Sequence, residues 1–268
     1  MYYKPSNREY RMKFGTLVEM VGAAHWAPSV LGEVGEERGG MVYVAPPGNL
    51  KTTSIEVLDQ FPRTTLISNI TNGALNDLKQ SFIAGEIKTV GFPDYDMLYK
   101  RHVSVSSQLE GTLMGLTGEG WRQAAYKDQR VQTSKARVTV VAGITIKCYE
   151  DRMAGWLDSG FARRFLWSRF WVKNMERMEE AICDWKKARL DGDFYMKVPI
   201  KPIPHCLNNA QAKRVLYELR FQPDRKLPFI FAQRMISVLC WKHGPTKGWE
   251  IWTDFAPSLG KDGADIVI

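Results

Sequence analysis

Met41-Val42-Tyr43-Val44-Ala45 is an unbroken apolar run that ends at Pro46-Pro47-Gly48. A run this short and apolar reads as a buried strand. The two prolines and the glycine then force a turn. Thr52 to Gln60 follows with Ile55, Val57 and Leu58, a helical stretch. A buried strand turning sharply into a helix is one half of an α/β unit, and it constrains what the rest of the chain must supply.

The rest continues that alternation. Thr64 to Ser68 is a second β-rich run, and Asn72 to Ala84 reads as a helix with Leu75, Leu78 and Phe82 on one face. Lys88 to Phe92 is a third strand, ending at Pro93-Asp94. Ser104 to Leu116 is helical, and Arg122 to Lys135 reads as a hairpin or an exposed loop. Arg137 to Ala142 is a fourth strand, Ala162 to Val172 contains a fifth, and Glu176 to Arg189 is helical. Strands alternating with helices imply a parallel sheet with crossover helices. Past Pro199 the pattern changes to two amphipathic helices, Asn209 to Leu219 and Phe229 to His243. The second stops at Gly244-Pro245. From Ile251 the chain reads as a short strand or a helix start. Residues 1–39 read as an irregular lead-in, 40–199 as the α/β core, and 200–268 as a small, mostly helical lid. No internal repeat or low-complexity linker interrupts this order.

The turn after the first strand carries chemistry. A strand, a glycine-bearing turn, Lys-Thr and a helix form the setting in which backbone N–H groups cradle phosphate. Pro47, Gly48, Asn49, Leu50, Lys51, Thr52 and Thr53 are the candidate nucleotide contacts. Lys51 supplies a point charge to the outer phosphates, and the Thr52 hydroxyl is a ligand for Mg²⁺. Against the pattern G-x-x-x-x-G-K-[ST], Ala45 replaces the first glycine and Leu50 the second. Leu50 is the more serious change, because glycine there lets backbone approach phosphate. The bland alternative is a proline-rich turn before an ordinary helix.

Three later segments extend the candidate site. Asp94 ends an apolar run and is the carboxylate for a metal shell, with a plain turn residue as the alternative. Tyr95 stands where a water-polarising glutamate is expected. Asp96 is the substitute, although alternation along a continuing strand points it elsewhere. Thr145, after Val140 to Ile144, either senses a terminal phosphate or caps a helix. Arg163 and Arg164 sit between apolar residues and suit an arginine finger reaching a neighbouring subunit. A phosphate-backbone contact or a surface salt bridge is their alternative.

The chain has a formal charge of +8. Arg122 to Arg152 holds seven Lys or Arg against three Asp or Glu, and Arg163 to Arg189 holds eight against four. Trp121, Tyr126, Trp167, Phe170 and Trp171 lie among these charges. Cations attract phosphates and rings stack on bases, so this mixture suits a nucleic-acid surface with Arg122, Lys127, Arg130 and Lys135 as contacts. A solvated basic face over core aromatics is the competing reading. Four separated cysteines and four isolated histidines give no zinc or triad signature. The N-terminus has no secretory apolar region, and no stretch approaches the ~20 apolar residues of a membrane span. The expectation is a cytoplasmic protein with no membrane partner.

Taken in order, these segments resemble a family. Val44 to Thr53 resembles the phosphate loop of AAA+ and RecA-like ATPases. Pro93-Asp94, Leu113 to Gly120, Ala142-Gly143-Ile144-Thr145 and Gly160 to Phe165 are similar to segments of phage and mobile-element helicase-like ATPases. The similarity covers roughly residues 40 to 172, and more weakly Phe229 to His243, which resembles a lid helix. The resemblance implies a P-loop NTPase fold with a parallel central sheet flanked by helices. It also implies ATP and Mg²⁺ as cofactors, single- or double-stranded DNA as partner, and a homo-oligomer such as a filament or hexameric ring. Its expected activity is a DNA-dependent ATPase, a helicase-like motor or loader in DNA replication. The departures at Ala45, Leu50 and Tyr95 leave two further readings. One is a nucleotide-gated DNA-binding assembly protein with little hydrolysis, and the other is a DNA-binding module without a working nucleotide site.

Overall fold

β2 (Gly40–Val44) is buried along its whole length. Met41, Tyr43 and Ala45 enter one hydrophobic cluster, whereas Val42 and Val44 enter another. Strand side chains alternate between faces, so a run apolar at every position must be covered on both sides. In the computed structural model, which describes residues 11–30, 38–68, 77–100, 103–118, 137–172, 182–183 and 201–267, β2 lies inside a seven-stranded sheet.

The other strands are β1 (Arg11–Lys13), β3 (Thr64–Leu66), β4 (Thr89–Phe92), β5 (Thr139–Ile144), β6 (Phe165–Val172) and β7 (Ala264–Val267). Their spatial order is β1-β7-β6-β2-β5-β4-β3, and every pairing is parallel. The described helices, in chain order, are α1 (Phe14–Trp26), α2 (Lys51–Glu56), α3 (Lys79–Ala84), α4 (Val103–Thr117), α5 (Ile146–Ser159), α6 (Asn209–Glu218), α7 (Lys226–His243) and α8 (Pro245–Phe255). Residues of α1, α2, α7 and α8 share the cluster of Met41 and Tyr43. Those of α3, α4 and α5 share the cluster of Val42 and Val44. The architecture is helix, sheet, helix in three layers, an α/β fold.

The connections place a crevice at the middle of the sheet. The chain leaves β2 through α2 on one face and returns to β5 through α4 on the other. From β5 it crosses past β2 through α5 to β6. Adjacent strands β2 and β5 therefore send their following loops to opposite faces. Open parallel sheets bind ligands at such a switch point, outside the carboxyl ends of the strands.

Two regions differ from the sequence expectation. Residues before Gly39 are not irregular throughout, since Arg11–Lys13 is an edge strand and Phe14–Trp26 a helix. Phe14, Leu17, Val18, Met20, Val21, Ala23, Ala24 and Trp26 are all buried, which leaves α1 without a polar stripe or helical periodicity to read. Residues 245–255 form α8 ahead of the expected break at Ile251. The C-terminal helices also share the core of the rest. Asp254 of α8 accepts hydrogen bonds from the Lys13 N–H at 3.0 Å and the Thr16 hydroxyl at 2.5 Å. β7 pairs with β6 and β1. The helix expected over Glu176 to Arg189 lies almost wholly outside the described residues, as does the start of the one expected from Asn72.

Two sheet glycines let α2 approach closely. A Cβ on Gly143 would stand 2.8 Å from the Pro93 carbonyl oxygen and 3.2 Å from Lys51 Cβ. A Cβ on Gly91 would stand 3.3 Å from Ile55 Cγ2 of α2, and closer still to the side chains of Leu66 and Leu58. The first residue of α2 is thereby seated directly over the carboxyl end of β5.

Candidate nucleotide site at the switch point

The loop between β2 and α2 is tied on both sides. The Ala45 N–H donates to the Ile144 carbonyl at 3.2 Å, and Asn49 Oδ1 accepts from the Val172 N–H at 2.7 Å. The loop therefore spans the ends of β5 and β6. Pro47-Gly48 makes its turn, closed by the Asn49 N–H on the Pro46 carbonyl at 3.3 Å. Gly48 has φ 75° with nothing near its missing Cβ, so conformation rather than space requires glycine there.

Leu50 takes the position that glycine holds in the motif, and it adopts the glycine conformation, φ 65° and ψ 4°. That left-handed geometry costs a branched residue about 1–2 kcal/mol. The offset is burial, because the Leu50 side chain is 7% exposed within the main core. Burying a leucine contributes about 1.5–3 kcal/mol. The departure from the motif thus keeps the backbone path and exchanges chain freedom for an apolar anchor.

Lys51 opens α2 and turns back over the loop. Its ammonium donates to the Ala45 carbonyl at 2.9 Å and the Pro46 carbonyl at 2.8 Å. Burial lowers its pKa, while the carboxylates of Asp96 and Asp94 act in the opposite direction. A cation is thus held at the crevice, facing two acids. Thr52 is exposed, and its hydroxyl donates to the Pro93 carbonyl at 3.4 Å. Asp94 is exposed on the next residue. Thr53 follows on α2, half-buried.

Asp96 is corrected by the structure. Tyr95–Lys100 is a 3₁₀ turn rather than a continuing strand, so strand alternation does not apply. The turn brings Asp96 back to the end of β5, where both its oxygens accept the Thr145 N–H at 3.0 and 2.9 Å. Tyr95 instead faces inward. Its ring meets Phe92 edge-on at 5.7 Å and stacks near Phe161 at 6.3 Å. Burial raises its pKa, so it stays a neutral phenol away from the crevice. Of the two readings of Thr145, the cap is the one with a bond. Its Oγ1 accepts from the Cys148 N–H at 3.3 Å at the start of α5. The nearby Asp96 carboxylate, after burial, pushes the Cys148 thiol up.

Arg163 and Arg164 stand at the other end of the sheet. They precede β6, whose Phe165 is level with Gly40, the first residue of β2. The five-residue β2 separates them from the phosphate loop, about 16 Å at roughly 3.3 Å per residue. They line a cleft of about 280 Å³ with Ser159, Asp224 and Lys226. Within one chain they do not reach the crevice. Arg122, Lys127, Arg130 and Lys135 lie outside the described residues.

The structure thus gathers Lys51, Thr52, Asp94, Asp96 and Thr145 around one crevice and sets Arg163 and Arg164 apart from it. Sequence reasoning missed the two sheet glycines under α2, for which Gly91 and Gly143 inside otherwise apolar strands were the available signal. Among the described residues no cluster of three or more His, Cys, Asp or Glu side chains is placed to hold a metal. A Mg²⁺ ion carried with a nucleotide needs only one or two carboxylates beside the phosphates, and Thr52 with Asp94 fits that smaller set. Among the described residues no helix is long and apolar enough to cross a membrane. No protein-family model matches the chain, and no curated protein matches it.

Proposed function

We propose that the crevice binds the phosphates of ATP with Mg²⁺, and that the chain is a DNA-dependent ATPase of the helicase-like or loader kind. The observation that carries this reading is Lys51. It is a largely buried ammonium at a topological switch point, held by its own loop's carbonyls and faced by Asp94 and Asp96. A cation already desolvated and already positioned binds phosphate strongly, because little reorganisation remains.

The residue roles follow from position. Gly48, Leu50 and Lys51 present backbone N–H groups to phosphate, and Lys51 exchanges a carbonyl for a phosphate oxygen. Thr52 and Asp94 hold Mg²⁺, which supplies charge neutralisation to the phosphates. Asp96 orients the end of β5 and holds a negative charge near the attacking water. One of Arg163 and Arg164 acts on a neighbouring copy's nucleotide, which gives the oligomer a catalytic reason, and the other stays on its own sheet edge. The resemblance to phage and mobile-element ATPases supports the DNA partner and a role in replication.

Titration of a fluorescent ATP analogue with Mg²⁺ tests the reading. Micromolar binding that Lys51→Ala weakens at least tenfold supports it. Equal affinity in wild type and variant rejects it.

A second reading is favoured by Leu50 and Tyr95. In this case ATP orders a DNA-bound assembly, and hydrolysis is slow. Leu50 ties the loop to the core where the motif has a free glycine, and Tyr95 puts no polar group near the crevice. Single-turnover hydrolysis with saturating DNA separates the two, since fast turnover rejects the assembly reading.

A further inference from the structure

Each of the five central strands begins beside a cation. Arg38 stands two residues before β2, Arg63 and Lys88 immediately before β3 and β4, Arg137 two residues before β5, and Arg163-Arg164 immediately before β6. Because the strands are parallel, their starts share one edge of the sheet. The edge is drawn together by backbone bonds. The Lys88 N–H donates to the Arg63 carbonyl at 2.7 Å, the Thr139 N–H to the Lys88 carbonyl at 2.9 Å, and the Arg38 N–H to the Thr117 carbonyl at 3.0 Å. From β3 to β6 the row crosses four strand spacings, about 19 Å at roughly 4.8 Å each.

Positive charge predominates there, with Asp224 the acid that lines the cleft beside Arg163 and Arg164. Burial lowers the pKa of Lys88, and the charges of Arg63 and Arg38 lower it further. Cations held close enough to lower the pKa of Lys88 destabilise the isolated fold. A polyanion laid along them relieves that repulsion. Five of the six are arginines, whose planar forks match phosphate oxygens in pairs. A row of about 19 Å corresponds to roughly five or six phosphates along one strand of a duplex, at about 3.4 Å of axis each.

We propose that this sheet edge is a binding surface for the phosphate backbone of a nucleic acid, on the side of the molecule opposite the phosphate loop. It rests on the reading that the chain acts on DNA, and names where the DNA lies. Nucleotide and nucleic acid then occupy opposite ends of the same strands, β2 and β5. Contact is with backbone phosphates, so binding is strongly salt-dependent and indifferent to sequence.

The test uses Arg63→Asn with Lys88→Gln, neither of which belongs to the nucleotide site. Asparagine suits Arg63, whose φ is 61°, and losing the Lys88 charge removes repulsion, so the double variant folds. Lys88→Gln alone is the second variant. Lys213→Gln with Lys247→Gln, both exposed on the C-terminal helices, removes equal charge elsewhere. Affinity for duplex DNA, single-stranded DNA and RNA is measured against salt. The double variant loses at least tenfold at 0.1 M salt. Its log–log salt slope falls by roughly 1.8 on duplex or roughly 1.4 on single strands. The control keeps both values. Equal loss in variant and control, a wild type that binds none of the three, or poly-glutamate competing as well as DNA overturns the proposal. The ATP-analogue titration on the same proteins reports on the loop separately. Unchanged nucleotide affinity in the double variant is expected, and failure of Lys51→Ala to weaken nucleotide leaves the edge untouched.

Discussion

Both carboxylate oxygens of Asp96 accept the same backbone N–H, that of Thr145, at 3.0 and 2.9 Å. The bond joins the turn after β4 to the end of β5 and holds an acid beside Lys51. Asp94, two residues earlier, is exposed. The two acids should therefore separate by experiment. Asp96→Ala leaves a partly buried N–H without its acceptor, which costs about 1–3 kcal/mol. Asp94→Ala touches no such bond and changes stability by less than about 0.5 kcal/mol. Its effect falls on Mg²⁺-dependent nucleotide affinity. Urea melts paired with nucleotide titrations check both. A stable Asp96→Ala protein, or an Asp94→Ala protein with full Mg²⁺ dependence, contradicts the assignment.

Leu50 combines a backbone geometry that favours glycine with a side chain that favours burial. Leu50→Gly removes roughly 1–2 kcal/mol of strain. It also removes a buried side chain whose loss costs about 2–5 kcal/mol. Packing wins, so the variant should be less stable by about 1–3 kcal/mol in chemical denaturation. Nucleotide affinity should change little, because the backbone already follows the glycine path and the side chain lies in the core. A variant that loses both stability and affinity would show that Leu50 serves the loop through packing alone.

These residues also explain how far the sequence could be read. Runs such as Met41–Ala45 and Val140–Ile144 were legible because a strand covered on both faces must be apolar at every position. Lys51 and Thr52 were legible as a local pattern. α1 was not, because a helix buried all round carries no stripe. Asp96 was misplaced because strand periodicity was extended through Pro93-Asp94 into a 3₁₀ turn. Arg38, Arg63 and Lys88 carried no local motif, and Arg163 and Arg164 stood out only as a candidate arginine finger. Only the all-parallel pairing puts Arg38, Arg63, Lys88 and Arg163 on one edge.

His25 gives a pH dependence of stability. Its Nδ1 is hydrogen-bonded to the Thr89 hydroxyl at 2.9 Å, and its ring packs on Trp26 and Phe61. Burial, then the charge of Lys88, lowers its pKa from 6.5 to about 3. The folded protein holds this ring neutral, whereas the unfolded chain protonates it below pH 6.5. Its contribution to stability is complete above pH 6.5 and is lost progressively as pH falls toward 3. Between pH 6.5 and 5 the loss is about 2 kcal/mol, at roughly 1.36 kcal/mol per unit. His25→Gln should flatten that part of the stability curve, whatever its effect on stability at pH 7. An unchanged slope between pH 5 and 6.5 would assign the acid sensitivity to other groups.

Gly143 supports the candidate site from beneath. A Cβ there would stand 2.8 Å from the Pro93 carbonyl oxygen and 3.2 Å from both Ile55 Cδ1 and Lys51 Cβ. The carbonyl belongs to the backbone beside Asp94, and α2 is fixed by its own buried residues, so neither neighbour yields freely. Gly143→Ala should therefore lift α2 from β5 and cost about 1–3 kcal/mol. Because Lys51 and Thr52 ride on α2, nucleotide affinity should fall with stability, although no side chain of the site is altered. Gly155→Ala is the matched control. Gly155 lies on the exposed face of α5 with nothing near its missing Cβ, so alanine there should stabilise the helix by roughly 0.5–1 kcal/mol. Thermal melts and nucleotide titrations of the two variants decide the matter. If Gly143→Ala melts low yet binds nucleotide as wild type does, α2 does not position the phosphate contacts.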